Sequence, residues 1–159
     1  GGHEKGLRSG TLNVPAIVGF GKAAELAKNR MFQDSKRITK LRDSLLKKIK
    51  SSIKGIHING SLENRIPNNL NVSFSGVDGD SLLINMDDIA VSNGAACSST
   101  LKEPSYVLKA IGLEDKLAEA SIRFGIGRET TEEEIDYTVN KLKTVVKDLR
   151  EIEEMKNSF

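Results

Sequence analysis

The chain has 159 residues, 38% of them hydrophobic, and 24 basic against 22 acidic side chains leave a net charge of +2. That suits one domain with a modest core, and the small, interleaved charge excess points to no nucleic acid partner except an indirect one. No apolar run approaches the ~20 residues of a membrane span, no secretory-type start is present, and a single cysteine forms no internal disulfide and no cysteine-rich zinc site.

The opening tract, Gly1 to Thr11, carries four glycines and no methionine start, so it reads as the middle of a loop and suggests a chain cut from something longer. Asn13 and Pro15 mark a helix start. Ile17, Phe20, Ala24, Ala27, Met31, Ile38, Leu41, Leu45, Ile49 and Ile53 then recur mostly at three- or four-residue steps, the helical period. The pattern weakens at Gln33-Asp34-Ser35, so one helix or two consecutive ones fit, ending at Gly55. Ile56 to Asn59 alternate as a short strand closed by Gly60-Ser61, and a polar loop around Pro67 follows. Leu70, Val72 and Phe74 alternate with Asn71, Ser73 and Ser75, predicting a half-buried strand. Asp78 or Asp80 caps a short helix through Met86, and Ile89-Ala90-Val91 reads as a brief strand entering the segment around Cys97. Pro104 fits the first turn of a helix that Gly112 stops. Ile122, Phe124 and Ile126, alternating with Ser121, Arg123 and Gly125, give a further strand. Thr131 and Glu134 form a capping box for a last helix carrying Ile135, Val139, Leu142, Val145, Leu149 and Ile152. The expected fold is an α/β (α+β) layer structure: three or four short strands, largely antiparallel, covered by two long helices.

Cys97 is the chain's one thiol, set in Ser92-Asn93-Gly94-Ala95-Ala96-Cys97-Ser98-Ser99-Thr100, a run with turn-and-loop composition. A thiol reacts as its thiolate and needs access, which such a loop provides. An inert surface cysteine fits the same residues equally well. Arg123 falls on the polar face of its strand, where a guanidinium can clamp a carboxylate or simply face solvent. Arg8-Ser9-Gly10-Thr11 precedes a helix start, a setting that suits a phosphate, although Thr11 as a plain helix cap is the simpler reading. Gly125-Ile126-Gly127 is too short for a dinucleotide fingerprint, His3 and His57 have no ligand-like spacing, and Glu132-Glu133-Glu134 is negative charge at a helix N-terminus.

Three tracts together resemble a known family. Gly2-His3-Glu4-Lys5-Gly6-Leu7-Arg8-Ser9-Gly10-Thr11 is similar to a signature of cysteine desulfurases, pyridoxal-phosphate enzymes of the class V aminotransferase group. Ser92 to Ser98 with Glu103-Pro104-Ser105-Tyr106-Val107-Leu108 resembles their catalytic-cysteine loop, of the long NifS/IscS kind. Ser121-Ile122-Arg123-Phe124-Gly125-Ile126-Gly127-Arg128 with Thr130-Thr131-Glu132-Glu133-Glu134-Ile135-Asp136 resembles their substrate-arginine strand and the helix after it. The resemblance implies the small C-terminal domain of a fold-type I pyridoxal-phosphate transferase over residues 15–159, with the cysteine loop at about 92–103 and residues 1–14 as the tail of the large cofactor-binding domain.

It further implies the reaction. A protein thiolate, here Cys97, takes the sulfur of L-cysteine as a persulfide, L-alanine leaves, and sulfur passes to iron–sulfur cluster assembly and other acceptors. Arg123 would hold the substrate carboxylate, Thr11 the cofactor phosphate of a partner subunit, with Arg8 in the same segment. Cys97 would also be a candidate iron–sulfur ligand shared with a scaffold protein, there being no metal site within the chain alone. The complete enzyme is expected to be a homodimer in the cytoplasm or, in a eukaryote, the mitochondrial matrix, with no membrane contact. The family's Schiff-base lysine motif, of Ser-x-His-Lys type, does not occur in these residues. The chain by itself is therefore expected to be inactive. Alternatives are a selenocysteine lyase or other class V enzyme, and a non-catalytic partner-binding module using the basic residues Lys36, Arg37, Lys40, Arg42, Lys47, Lys48 and Lys50, which otherwise form an ordinary solvated face.

Overall fold

The structure of the protein, a computed structural model, describes residues 1–93, 104–156 and 158. It divides into two compact units, Gly1–Asp34 and Ser35–Phe159. The first unit opens with a short turn, His3–Gly6, in which Glu4 and Lys5 take φ of 54° and 56°. Asn13 accepts a hydrogen bond from the Ala16 amide at 3.2 Å through its Oδ1, which caps helix α1, Val14–Ser52. Residues 1–33 are exposed throughout, including Phe20 at 78% and Phe32 at 84%. The apolar positions in the early turns of α1 are therefore not buried within their own unit.

Helix α1 is continuous over 39 residues, which settles the choice between one helix and two. Gln33-Asp34-Ser35 interrupts the apolar rhythm but holds neither glycine nor proline, so nothing there breaks backbone hydrogen bonding. Gly55, at φ 61°, follows the helix end.

In the second unit β1 (Ile56–Ile58), β2 (Asn69–Phe74) and β3 (Ser121–Gly125) form an antiparallel sheet in the order β1-β2-β3. One face carries Ile58, Val72 and Ile122 in register, with Leu70 opposite Phe124 and Ile56 opposite Phe74. These join the core formed with Leu41, Leu45 and Ile49 of α1 and with Ile135, Val139, Leu142 and Val146 of the last helix, α5 (Glu132–Lys156). The other face is polar, yet Ser73 and Ser121 are 0% and 2% exposed, so β2 is more deeply buried than its alternation predicts. The predicted capping box is formed: Glu134 N donates to Thr131 Oγ1 at 3.2 Å, and Thr131 N donates to Glu134 Oε2 at 3.0 Å.

Among the described residues, three short helices complete the unit: α2 (Gly79–Ile84), α3 (Tyr106–Ala110) and α4 (Asp115–Glu119). Asp78 is the cap of α2, accepting from Ser81 N at 2.8 Å. Pro104 lies one residue before the N-cap Ser105 of α3 rather than inside its first turn, and Gly112, at φ 93°, terminates that helix as expected. The segment predicted as a strand at Ile89-Ala90-Val91 forms none. Val91 N bonds back to Ile89 O at 2.8 Å, folding the backbone into a tight turn, and sheet pairing begins only at Ser92.

Candidate active site

Arg123 occupies the polar face of β3 because the apolar side chains of Ile122 and Phe124 on either side are drawn to the core. Its side chain is exposed, and among the described residues it has no hydrogen-bond or ion-pair partner. Its backbone is engaged on the free edge of the sheet: Arg123 N donates to Ser92 O at 2.6 Å, and Ser92 N donates to Arg123 O at 3.4 Å. Ser92 is five positions before Cys97. The stem of the cysteine segment is thus hydrogen-bonded to the arginine that the sequence singles out. Cys97 itself lies outside the described residues.

A second anchor holds the same stem. The Tyr137 hydroxyl of α5 donates to Asp88, and Lys141 Nζ lies 3.2 Å from Asp87 Oδ1 and 3.3 Å from Asp88 Oδ1. The Tyr137 hydroxyl, and after it the Lys141 ammonium, hold the Asp88 carboxyl below its ordinary range, and the same contact raises the Tyr137 phenol. Between this stem, β3 and the start of α5 opens a cleft of about 540 Å³ lined by Val91, Phe124, Ile126 and Tyr137 among others. Residue-by-residue reading misses Asp88, Tyr137 and Lys141, and names Ser92 only as the start of the cysteine tract. The usable signal was Tyr137 and Lys141 at an i,i+4 spacing on one helix face, but their acidic partners lie about fifty residues away in sequence.

Arg37 donates from Nη1 to Thr130 O at 2.9 Å, and from Nη2 to the carbonyls of Gly127 and Arg128. It thereby fastens the loop after β3 to α1. Lys48 bonds Glu132 and Asp136, and Arg42 is buried and bonds Asp43. The basic residues of α1 are therefore not one uniform solvated face: Arg37, Arg42 and Lys48 serve internal contacts.

In the first unit Arg8 turns its guanidinium onto the chain, donating to Gly10 O at 2.6 Å and Thr11 O at 2.7 Å. Arg8 thus shapes the segment that presents Thr11. The Thr11 hydroxyl is exposed and has no partner among the described residues, and the helix cap comes from Asn13 instead. An open hydroxyl just ahead of a helix start fits a phosphate oxygen.

The model of the family described as aminotransferase class-V matches residues 2–138. The chain belongs to the aminotransferase class-V family. Relatives include the cysteine desulfurase IscS of Mannheimia succiniciproducens, 52% identical over 159 residues, all of this chain and 39% of its own length. The cysteine desulfurase IscS of Anaeromyxobacter sp. is 53% identical over 152 residues, 96% of this chain and 38% of its own. Among solved structures, a NifS-like protein superposes with a TM-score of 0.79 at 36% identity over 94% of this chain and 38% of its own. The NifS-like protein of Rickettsia africae gives 0.78 at 31%, over 91% and 38%. This class V chain spans about two fifths of the length of these relatives. Its small antiparallel sheet with long helices is thus the fold of part of a NifS-like protein.

Proposed function

We propose that this chain is the C-terminal part of a cysteine desulfurase, in which Cys97 accepts sulfur from L-cysteine and passes it to iron–sulfur scaffold proteins and other acceptors. The observation that carries this reading is the backbone pairing of Ser92 with Arg123. Ser92 stands five positions before Cys97, so the pairing ties the stem of the cysteine-bearing tract to the strand that carries the guanidinium. A grip for a carboxylate and a tethered nucleophile are the two groups a sulfur transfer from an amino acid requires.

Pyridoxal phosphate, when bound, supplies the electron sink that loosens the carbon–sulfur bond of L-cysteine. This chain contributes the Thr11 hydroxyl for its phosphate, from one protomer of a homodimer to the site of the other. Arg123 binds the substrate carboxylate by paired hydrogen bonds. The Cys97 thiolate attacks the substrate sulfur, a sulfur–sulfur bond forms as the carbon–sulfur bond breaks, and the carbon takes a proton to leave as L-alanine. No outside oxidant or reductant enters this balance.

The test is Cys97→Ser in the full-length, cofactor-loaded protein. Labelled sulfur from L-cysteine is expected to appear on the wild-type chain as a persulfide and to be absent from the variant, whose cofactor absorbance stays unchanged. Sulfur delivery to an acceptor by the serine variant at the wild-type rate overturns the reading.

A further inference from the structure

Across the polar face of the sheet, Asn59, Asn71, Arg123 and Ser92 form one row. Asn71 is the register partner of Arg123, and Ser92 pairs with Arg123 from the other side. Asn59 extends the row beyond β1, donating its amide to Asn71 O at 3.0 Å. Directly opposed residues of antiparallel strands project to the same face. Arg123 spends its backbone N–H and C=O on Ser92, so its pairing with Asn71 is of the non-hydrogen-bonded kind, in which side chains approach most closely. Neighbouring ladder bonds agree, since Phe74 N reaches Ala120 O at 2.9 Å and Ile126 N reaches Asn68 O at 2.9 Å, two alternating positions that exclude Asn71 and Arg123. The two side chains therefore leave from Cβ atoms about 4.5–5.5 Å apart.

The orientation of the Asn71 amide is set from behind. Asn59, 4% exposed, donates from Nδ2 to Asn71 Oδ1 at 2.6 Å and to Ser73 Oγ at 2.8 Å. With its oxygen held this way, Asn71 is left with its NH₂ group, which has no partner among the described residues and is not among the buried unpaired atoms. Asn59 keeps its own Oδ1 buried and, among the described residues, unpaired in this arrangement, a local penalty retained while Asn71 is aimed. Two donors, one charged and one neutral, thus stand side by side with no acceptor of their own among the described residues.

We propose that Asn71 is a substrate-binding residue, whose Nδ2 donates to the same amino-acid carboxylate that Arg123 clamps, with Asn59 as the residue that positions it. A guanidinium and an amide donor together satisfy more of a carboxylate's lone pairs than the guanidinium alone. This rests on the function proposed above and adds a specificity element to the same site.

The test uses the full-length protein loaded with pyridoxal phosphate and a matched pair of ligands, L-alanine and ethylamine, which differ by the carboxylate. Binding is followed by the visible absorption of the cofactor in wild type, Asn71→Leu, Asn71→Asp and Arg123→Lys. Asn71→Asp preserves the acceptor for Asn59, so it keeps the internal bond even if the leucine variant fails to fold. Losing a hydrogen bond to a charged acceptor is expected to weaken L-alanine by about ten- to a hundredfold in both Asn71 variants, with ethylamine changed less than about twofold. Weakening of L-alanine by Arg123→Lys but by neither Asn71 variant overturns this inference and leaves the proposed function standing. No loss with Arg123→Lys either overturns the carboxylate site itself. Equal weakening of both ligands by the Asn71 variants also overturns the inference, because the effect is then not on the carboxylate.

Discussion

Gly79 sits at the first position of α2 with its Cα against the end of α4: a methyl group there would lie 2.2 Å from Glu119 O and 2.5 Å from Glu119 C. Both atoms are backbone and cannot rotate away. Gly79→Ala is expected to cost about 1–3 kcal/mol through forced separation of the two helices. Amide exchange in α2 and α4 of the full-length protein should speed up, and exchange at wild-type rates would show that the approach is not tight. In the sequence Gly79 stands between two aspartates, and nothing local marks it. Its reason is a contact with a residue forty positions later, which no local pattern carries. The same limit applies to Asn71, which alternation correctly places on the polar face of β2. Its place opposite Arg123 depends on strand register, and register becomes legible only once the sheet is assembled.

The elements read best from sequence are those whose signals are local. α5 was delimited by the Thr131–Glu134 box, and the end of α3 by Gly112, because these caps act within a single turn. α4 was missed because five residues supply barely one turn, and the helix exists through burial of Ala118 and through packing against β2 and α2. How the elements are joined at their ends was equally hidden. Arg150 of α5 donates to Ser75 O from Nε at 3.0 Å and Nη2 at 2.7 Å, and to Lys54 O at 2.9 Å, tying the end of β2 to the turn after α1. Those carbonyls lie where strand and helix run out of their own hydrogen bonds. Arg150→Met keeps the aliphatic stem and removes the donors, and urea denaturation of the full-length protein should show a loss of about 2 kcal/mol. A midpoint unchanged from wild type would mean that water replaces the guanidinium without penalty.

At the scale of the molecule, helices α1 and α5 are clasped by Lys48, which bonds Glu132 and Asp136, while Ser44 donates to Glu132 as well. Asp136 first and Glu132 second raise the Lys48 ammonium above its ordinary value, and Lys48 first and Ser44 second depress Glu132. The two signs define opposite limits. A raised lysine contributes stability that is complete below its unfolded pKa and is lost as pH rises through the folded value. A depressed carboxyl contributes above its unfolded pKa and is lost as pH falls through the folded value. The clasp therefore holds across the neutral range and loosens at both extremes. In Lys48→Met the Glu132 titration, followed by carboxyl NMR, should move up toward the ordinary glutamate range; an unmoved titration would assign the depression to Ser44 instead.

The joint between Ser92 and Arg123 has an evolutionary corollary. In sequence, residues 94–103 fall between the Ser92 joint and α3, outside the strand that carries the guanidinium, so their number can change without altering that strand. Under the function proposed above, insertions and deletions in that tract would change the length of chain that carries Cys97 while Arg123 keeps its place in β3. On that reading, delivery and recognition become separable traits within one small fold.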